Sequence, residues 1–319
     1  MEEKNANFSC SFSGYMLKCK ENSPLWDEKK ESRFAIMIHL PLYCSTGAII
    51  GRLNQYDYRH ILRVMPDLCR EIPLDGLELM MLPAYLDKLP KMAEDFSAAG
   101  LRFPVIHADK EVGTLLSSGA VRKDRELCGQ ALALWGTNCA MGERIGAEQI
   151  VLHLWGGTDS DGAFAVNLSY LPALRDTAQK CGLELLIENV PCTTADPAAN
   201  LAAIHAAFPE QRFVFDTRFA AFHGQSESLF SLPWLLGGCL AHIHISDLRD
   251  GAPRDFSRLR PILHPGEGRI DFPALFARLH AAGYRGSVTL ESPVLGEDGI
   301  DTPKLAASLR GLRTLLNPS

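Results

Sequence analysis

The sequence predicts an α/β protein, a single closed (β/α)8 barrel preceded by a polar N-terminal extension. Three observations carry that reading. Short apolar runs alternate with amphipathic helical stretches eight times, the order of a parallel sheet covered by helices. No Gly-x-Gly-x-x-Gly or Walker A run follows any of these strands, so the doubly wound nucleotide-binding alternative lacks its fingerprint. No linker-like break divides the chain after Arg33, which makes residues 34–319 one domain and residues 1–33 an extension.

The elements follow in order. An apolar run from Phe34 to Leu42 is the first strand, with His39 near its middle, and a helical pattern spans Tyr58 to Glu71. Gly76 to Met80 leads to a helix near Tyr85 to Ala99, stopped by Gly100. Phe103 to His107 is followed by a helix from Val121 to Ile145, and Gln149 to His153 by one from Leu168 to Lys180. Leu183 to Val190 precedes a helix near Pro197 to Ala207, and Arg212 to Asp216 one near Ser226 to Leu236. Cys239 to Ile245 is the seventh strand, with a long loop before the helix at Phe272 to Ala282. Ser287 to Glu291 and a helix from Pro303 to Leu316 close the chain.

Composition narrows the function classes. The 319 residues are 46% hydrophobic and 22% charged, ordinary for a globular protein with ample chain for a core. A formal net charge of −6 argues against a nucleic-acid partner. No apolar run approaches the ~20 residues of a membrane span. The nine cysteines form no Cys-x-x-Cys pair, and their odd number fits reduced thiols. The first 33 residues lack the basic start and apolar stretch of a signal peptide, so the expected location is cytoplasmic.

Chemistry is concentrated at the strand ends. In Ala241–Asp247, His242 and His244 share one face of a strand while Ile243 and Ile245 share the other. The remaining ends supply Glu78, His107, His153, Glu188, Asp216 and Glu291, with no compensating lysine or arginine at the same positions. In a barrel of this kind the chemistry lies at the C-terminal mouth, where such side chains converge. Clustered carboxylates repel unless a cation neutralises them, and a divalent metal is the simplest such cation. The tightest set is Glu188, Asp216, His244 and Glu291, on the last four strands. Its three carboxylates and one imidazole make a hard to borderline site that suits manganese, magnesium, cobalt or zinc, among which ligand softness does not choose; manganese is the expected ion. Arg218 is a candidate for a substrate carboxylate or phosphate, and Trp155 for an apolar wall.

The segments L-L-I-E188-N, F-V-F-D216-T, H-I-H244-I-S-D247, P-G-E-G-R-I-D from Pro265 to Asp271, and L-E291-S resemble the xylose isomerase-like TIM barrels. That superfamily includes sugar isomerases and epimerases, inosose dehydratases, hydroxypyruvate isomerases and endonuclease-IV-type repair enzymes. The resemblance runs from about Phe34 to the end. It implies one divalent metal held by Glu188, Asp216, His244 and Glu291. It also implies proton transfer by Glu188 and Glu291, and a pocket lined by His107, His153, His242 and His264; Glu78 is placed there with them as a substrate contact. The expected activity is isomerisation or epimerisation of a small sugar-like carbonyl compound through an enediolate, the metal acting as Lewis acid.

Two departures bear on the alternatives. Sugar epimerases and repair nucleases of this superfamily usually carry a histidine three residues after the strand-six aspartate; here that position is Phe219, and His223 follows four residues later. The nucleases also carry an Asp-x-His pair before the glycine-rich turn, where this chain has Arg260 to His264. A trinuclear site is therefore incomplete, which demotes phosphodiester hydrolysis. Dehydration of a cyclic polyol and a non-catalytic sugar-binding barrel are the other readings. The oligomeric state is left open, a homo-oligomer included.

Overall fold

A computed structural model describes residues 39–250 and 255–317. The polar extension expected over residues 1–33, and the start of the first strand expected at Phe34, lie outside the described residues.

Eight parallel strands close into one barrel: β1 (Leu42–Ser45), β2 (Gly76–Met80), β3 (Val105–His107), β4 (Gln149–Leu152), β5 (Glu184–Glu188), β6 (Arg212–Asp216), β7 (Leu240–Ile245) and β8 (Ser287–Leu290). The helices between them are α1 (Arg59–Glu71), α2 (Leu89–Ala98), α3 (Glu111–Arg122), α4 (Arg125–Arg144), α5 (Phe164–Ser169), α6 (Leu171–Lys180), α7 (Pro197–Ala207), α8 (Thr217–Phe222), α9 (Ser226–Phe230), α10 (Phe272–Ala281) and α11 (Thr302–Leu316). None of the described helices is long and apolar enough to cross a membrane.

Outward-facing Leu79, Ile106, Ile150, Ile187, Phe215, Ile243 and Leu290 join the main core between sheet and helices. Inside the barrel, Tyr43, Val105, Val151, Leu186, Val214 and Ala241 form a separate apolar layer. One pleat further along the same strands stand Ser45, His107, Glu188 and Asp216, and just beyond β4 and β8 stand His153 and Glu291. Successive inward residues are two apart, so the period of the strand alone turns an apolar layer into a polar one.

The first strand lies later than the hydropathy suggests. It pairs Cys44 with Leu77 and with Leu290, and ends at Ser45. His39 precedes it, hydrogen-bonded to Asp75 at the opposite end of the barrel from Ser45. A helix not expected from the sequence, α3, precedes the one expected over Val121–Ile145, which starts at Arg125; the one expected over Leu168–Lys180 is broken at Tyr170. Lys123 adopts a left-handed conformation (φ 55°), and the Asp124 carboxylate accepts from the backbone N–H groups of Glu126 and Leu127, starting α4 afresh. Pro172, which has no N–H to place inside a helix, sits in the first turn of α6 instead. The helix expected over Ser226–Leu236 ends at Phe230.

Candidate metal centre

β5 to β8 bring Glu188, Asp216, His244 and Glu291 together, each offering a ligand atom within 4.8 Å of the others. Strand register explains part of this: Asp216 pairs with His244, and His244 with Thr289, two residues before Glu291. Asp216 is held from two sides. Its backbone N–H donates to Asn189 Oδ1 and its carbonyl accepts from Asn189 Nδ2. Its Oδ1 caps α8 by accepting from Phe219 N at 2.5 Å. The other oxygen, Oδ2, is buried without a hydrogen-bond partner among the described residues and completes a set of hard donors. An unsatisfied carboxylate oxygen among two further carboxylates and an imidazole fits a divalent cation.

Glu188 is the hub. Its Oε1 lies 3.0 Å from His244 Nδ1, and its Oε2 lies 2.7 Å from His153 Nε2 and 3.3 Å from His107 Nε2. His107, His153 and Glu188 form a second group whose atoms could share an ion, and Glu78, His107, His244 and Glu291 a third. The His107 ring is oriented by Nδ1 at 2.8 Å from the Ala108 carbonyl oxygen. The mouth is entered past His153 and Glu291, whose side chains keep 18% and 14% exposure, whereas Glu188 keeps 1%.

The charges balance internally. Burial opposes a charged His244, but the carboxylates of Glu291, Glu78 and Glu188 overcome it and hold this imidazole well above its usual pKa. For Glu188, burial works upward, and His244, His153 and the hydrogen bond from His107 bring the carboxyl well below its usual value. Burial pushes Asp216 up to about 7, Arg218 opposing and Glu188 and Glu291 adding to the rise. Glu291 is raised by burial, against the pull of His244. Protons thus occupy the places that a doubly charged cation would neutralise.

Five residues expected to line the pocket are buried or bonded elsewhere. Trp155 is fully buried, and its indole N–H donates to the carbonyls of Val190 and Pro191, so it is a core residue beneath the loop after β5. His264 lies at Ser308 Oγ through Nδ1 and at the Pro293 carbonyl through Nε2, leaving no ring nitrogen for a substrate. His242 and Glu78 are closed beneath His244 with no exposed surface. His242 Nδ1 lies 2.7 Å from Ser287 Oγ, and its Nε2 lies 3.0 Å from Glu78 Oε2 and 2.9 Å from Thr289 Oγ1. Arg218 is buried too. It donates from Nε to Ser246 Oγ, and its guanidinium stacks 4.4 Å from the centre of the Phe219 ring.

Phe219 is the wall the sequence did not reveal. It is half-buried and meets the edge of His153 with ring centroids 6.4 Å apart. His223 accepts from the backbone N–H of Cys192 through Nε2 and so bonds to the loop after β5. Asp247 is a structural carboxylate: it accepts from the N–H groups of Leu248, Gly266, Gly268 and Ile270, binding the turn at Pro265–Asp271 to the end of β7. A Cβ on Gly268 would fall 2.3 Å from Asp247 Oδ1, which accounts for the glycine.

With this geometry in view, comparison with known proteins gives the lineage. A family model described as xylose isomerase-like TIM barrel matches residues 66–315. The chain belongs to that family. No curated protein matches the sequence significantly. Similar solved structures include D-psicose 3-epimerase of Clostridium cellulolyticum H10, determined with D-tagatose (16% identity, 87% of this chain and 100% of that one, TM-score 0.62). Others are 3-keto-D-glucoside 4-epimerase of E. coli (18% identity, 86% and 99%, TM-score 0.60) and a xylose isomerase domain protein of Alicyclobacillus acidocaldarius (19% identity, 86% and 98%, TM-score 0.61). At these identities the likeness is one of fold.

Proposed function

We propose that this family member is a divalent-metal-dependent isomerase or epimerase of a small sugar or related polyhydroxy carbonyl compound. The convergence of Glu188, Asp216, His244 and Glu291 around the unpartnered Asp216 Oδ2 carries the reading. These four side chains hold the cation, manganese being the first candidate. When bound, the metal supplies Lewis acidity to a substrate carbonyl, stabilising charge that develops on its oxygen.

The chain's own residues do the rest. Glu291 is the more accessible of the two glutamates and moves a proton at the substrate carbon from the mouth side. Glu188 is closed in by imidazoles and exchanges its proton through Oε2 and His153 Nε2, the one imidazole of the group with appreciable exposure. Phe219 and the loops around it exclude water from the acidified carbon, and His107 orients Glu188. The epimerase names among similar structures favour sugar chemistry.

A second reading has its own support. His107, His153 and Glu188 form an adjoining donor group that shares Glu188 with the first, the arrangement of a two-metal hydrolase. Metal analysis of the purified protein, followed by a screen of ketoses, inososes and abasic DNA, separates these readings. One equivalent of metal with interconversion of ketoses is the expected result. Water loss from an inosose, or cleavage at abasic sites with two equivalents, would replace it.

A further inference from the structure

Beneath the quartet lies a buried carboxylate with no evident catalytic task. Glu78, the third residue of β2, has no exposed surface, yet reaches across the barrel interior to both histidines of β7. Its Oε2 is hydrogen-bonded to His242, which is fixed in turn by Ser287 and Thr289 of β8. Its Oε1 lies 3.0 Å from His244 Nε2, close enough for an ion pair but off the N–H axis. These two atoms, Glu78 Oε1 and His244 Nε2, are both buried and otherwise lack a hydrogen-bond partner. Each is the missing partner of the other.

We propose that Glu78 is a positioning residue for the metal centre: it accepts the Nε2 proton of His244 and so keeps Nδ1 as the nitrogen turned to Glu188 and Glu291. This rests on the metal-dependent reading above. Nδ1 already faces those carboxylates, at 3.0 Å from Glu188 Oε1 and 3.6 Å from Glu291 Oε1. An imidazole that gives one nitrogen to a cation must carry its proton on the other, and that N–H needs an acceptor when buried. Glu78 Oε1, 3.0 Å from Nε2, is the carboxylate oxygen within reach of that proton. His242 anchors the second oxygen, so the carboxylate cannot swing away or upward into the site. Glu78 also offers an atom within 4.8 Å of His107, His244 and Glu291; we assign it to His244 and not to the cation.

The test is manganese titration by calorimetry on the full chain, wild type against Glu78→Gln, with thermal melting of both in EDTA. Loss of the charged acceptor is expected to weaken manganese binding by about 10–100-fold. The stoichiometry stays at one, the metal-free melt remains cooperative, and the substrate KM is unchanged at saturating manganese. Unchanged affinity, or a raised KM with unchanged affinity, overturns the proposal while leaving the metal-dependent reading intact. A fall from two bound ions to one also overturns it, by making Glu78 a ligand. A wild-type chain that binds no divalent metal sinks both. Should Glu78→Gln fail to fold, nitrogen-15 NMR of the magnesium-saturated wild type decides instead. A protonated, exchange-protected Nε2 on His244 supports the proposal; a protonated Nδ1 overturns it.

Discussion

Two layers of the same barrel interior, one pleat apart, have opposite chemistry. On β3 to β6 the lower one presents Val105, Val151, Leu186 and Val214, while on β2 and β7 Glu78 and His242 stand at the same level, paired in register with Val105 and Val214. The upper one replaces the four apolar side chains, strand for strand, with His107, His153, Glu188 and Asp216. On those four strands the lower layer needs nothing beyond itself: its members are buried apolar groups whose removal from water stabilises the closed sheet. The upper layer rests on mutual neutralisation, the carboxylates of Glu188, Asp216 and Glu291 against the imidazoles of His107, His153 and His244, and is open to exchanging protons for a cation. Function here is a displacement of two residues along a strand.

The sharpest break of this comparison is to move upper-layer chemistry down. Leu186→Asp places an unpaired carboxylate in the apolar layer, costing several kcal/mol against a typical total of about 5–15. The expected outcome is loss of the cooperative melt followed by circular dichroism. Glu188→Gln, two positions on, should keep it. If both unfold, the upper layer is as structural as the lower.

Next in size is Glu291→Gln. It should lower kcat by about 10²–10⁴-fold, the usual worth of a positioned proton-transfer group, and excess manganese should not restore it. Full restoration would leave Glu291 as a ligand only.

Asp216→Asn addresses the charge balance through pH. Burial, with Glu188 and Glu291 adding, raises this carboxyl to about 7 in the folded chain, against about 3.9 in an unfolded one. Between those values the metal-free folded state holds a proton that the unfolded state has lost. Asp216 therefore contributes stability that is complete below about pH 4 and disappears as pH rises through about 7. Chemical denaturation in EDTA across that range should show the decline in the wild type and a flatter profile in Asp216→Asn. Manganese competes with the same proton, so wild-type affinity should climb with pH up to about 7, while the variant binds weakly throughout.

How much of this was legible beforehand differs by residue. Asp216, His244, Glu188 and the barrel itself could be read because a period of two, a strand end and a closed parallel sheet are local patterns with one geometric consequence. Trp155 and His264 could not. Trp155 closely follows β4 and His264 ends the long loop after β7, and the direction of each ring is decided by carbonyls of Val190, Pro191 and Pro293 that are far away in sequence. Glu78 looked like a substrate contact for the same reason, since its partners on β7 lie some 164 residues on. The misplaced first strand has another cause: the run at Phe34–Leu42 is the more apolar, but pairing with β2 and β8 selects Leu42–Ser45. Phe219 was noticed as a missing histidine and not as a wall.

The smallest expected effect sharpens the same point. His264→Gln removes contacts to Ser308 and Pro293 and should cost about 1 kcal/mol in denaturant unfolding, with no change in substrate KM. A raised KM would return His264 to the pocket.

The four N–H groups gathered by Asp247 bear on how such a site could change. With Leu263 bridged to Asp247 and Gly266, Gly268 and Ile270 fastened to its carboxylate, both ends of the excursion after β7 are clamped at one residue. Chain added or removed between 249 and 262 would leave His244 behind the clamp and His264 beyond it in register. That makes the excursion replaceable without moving the strand end that carries His244.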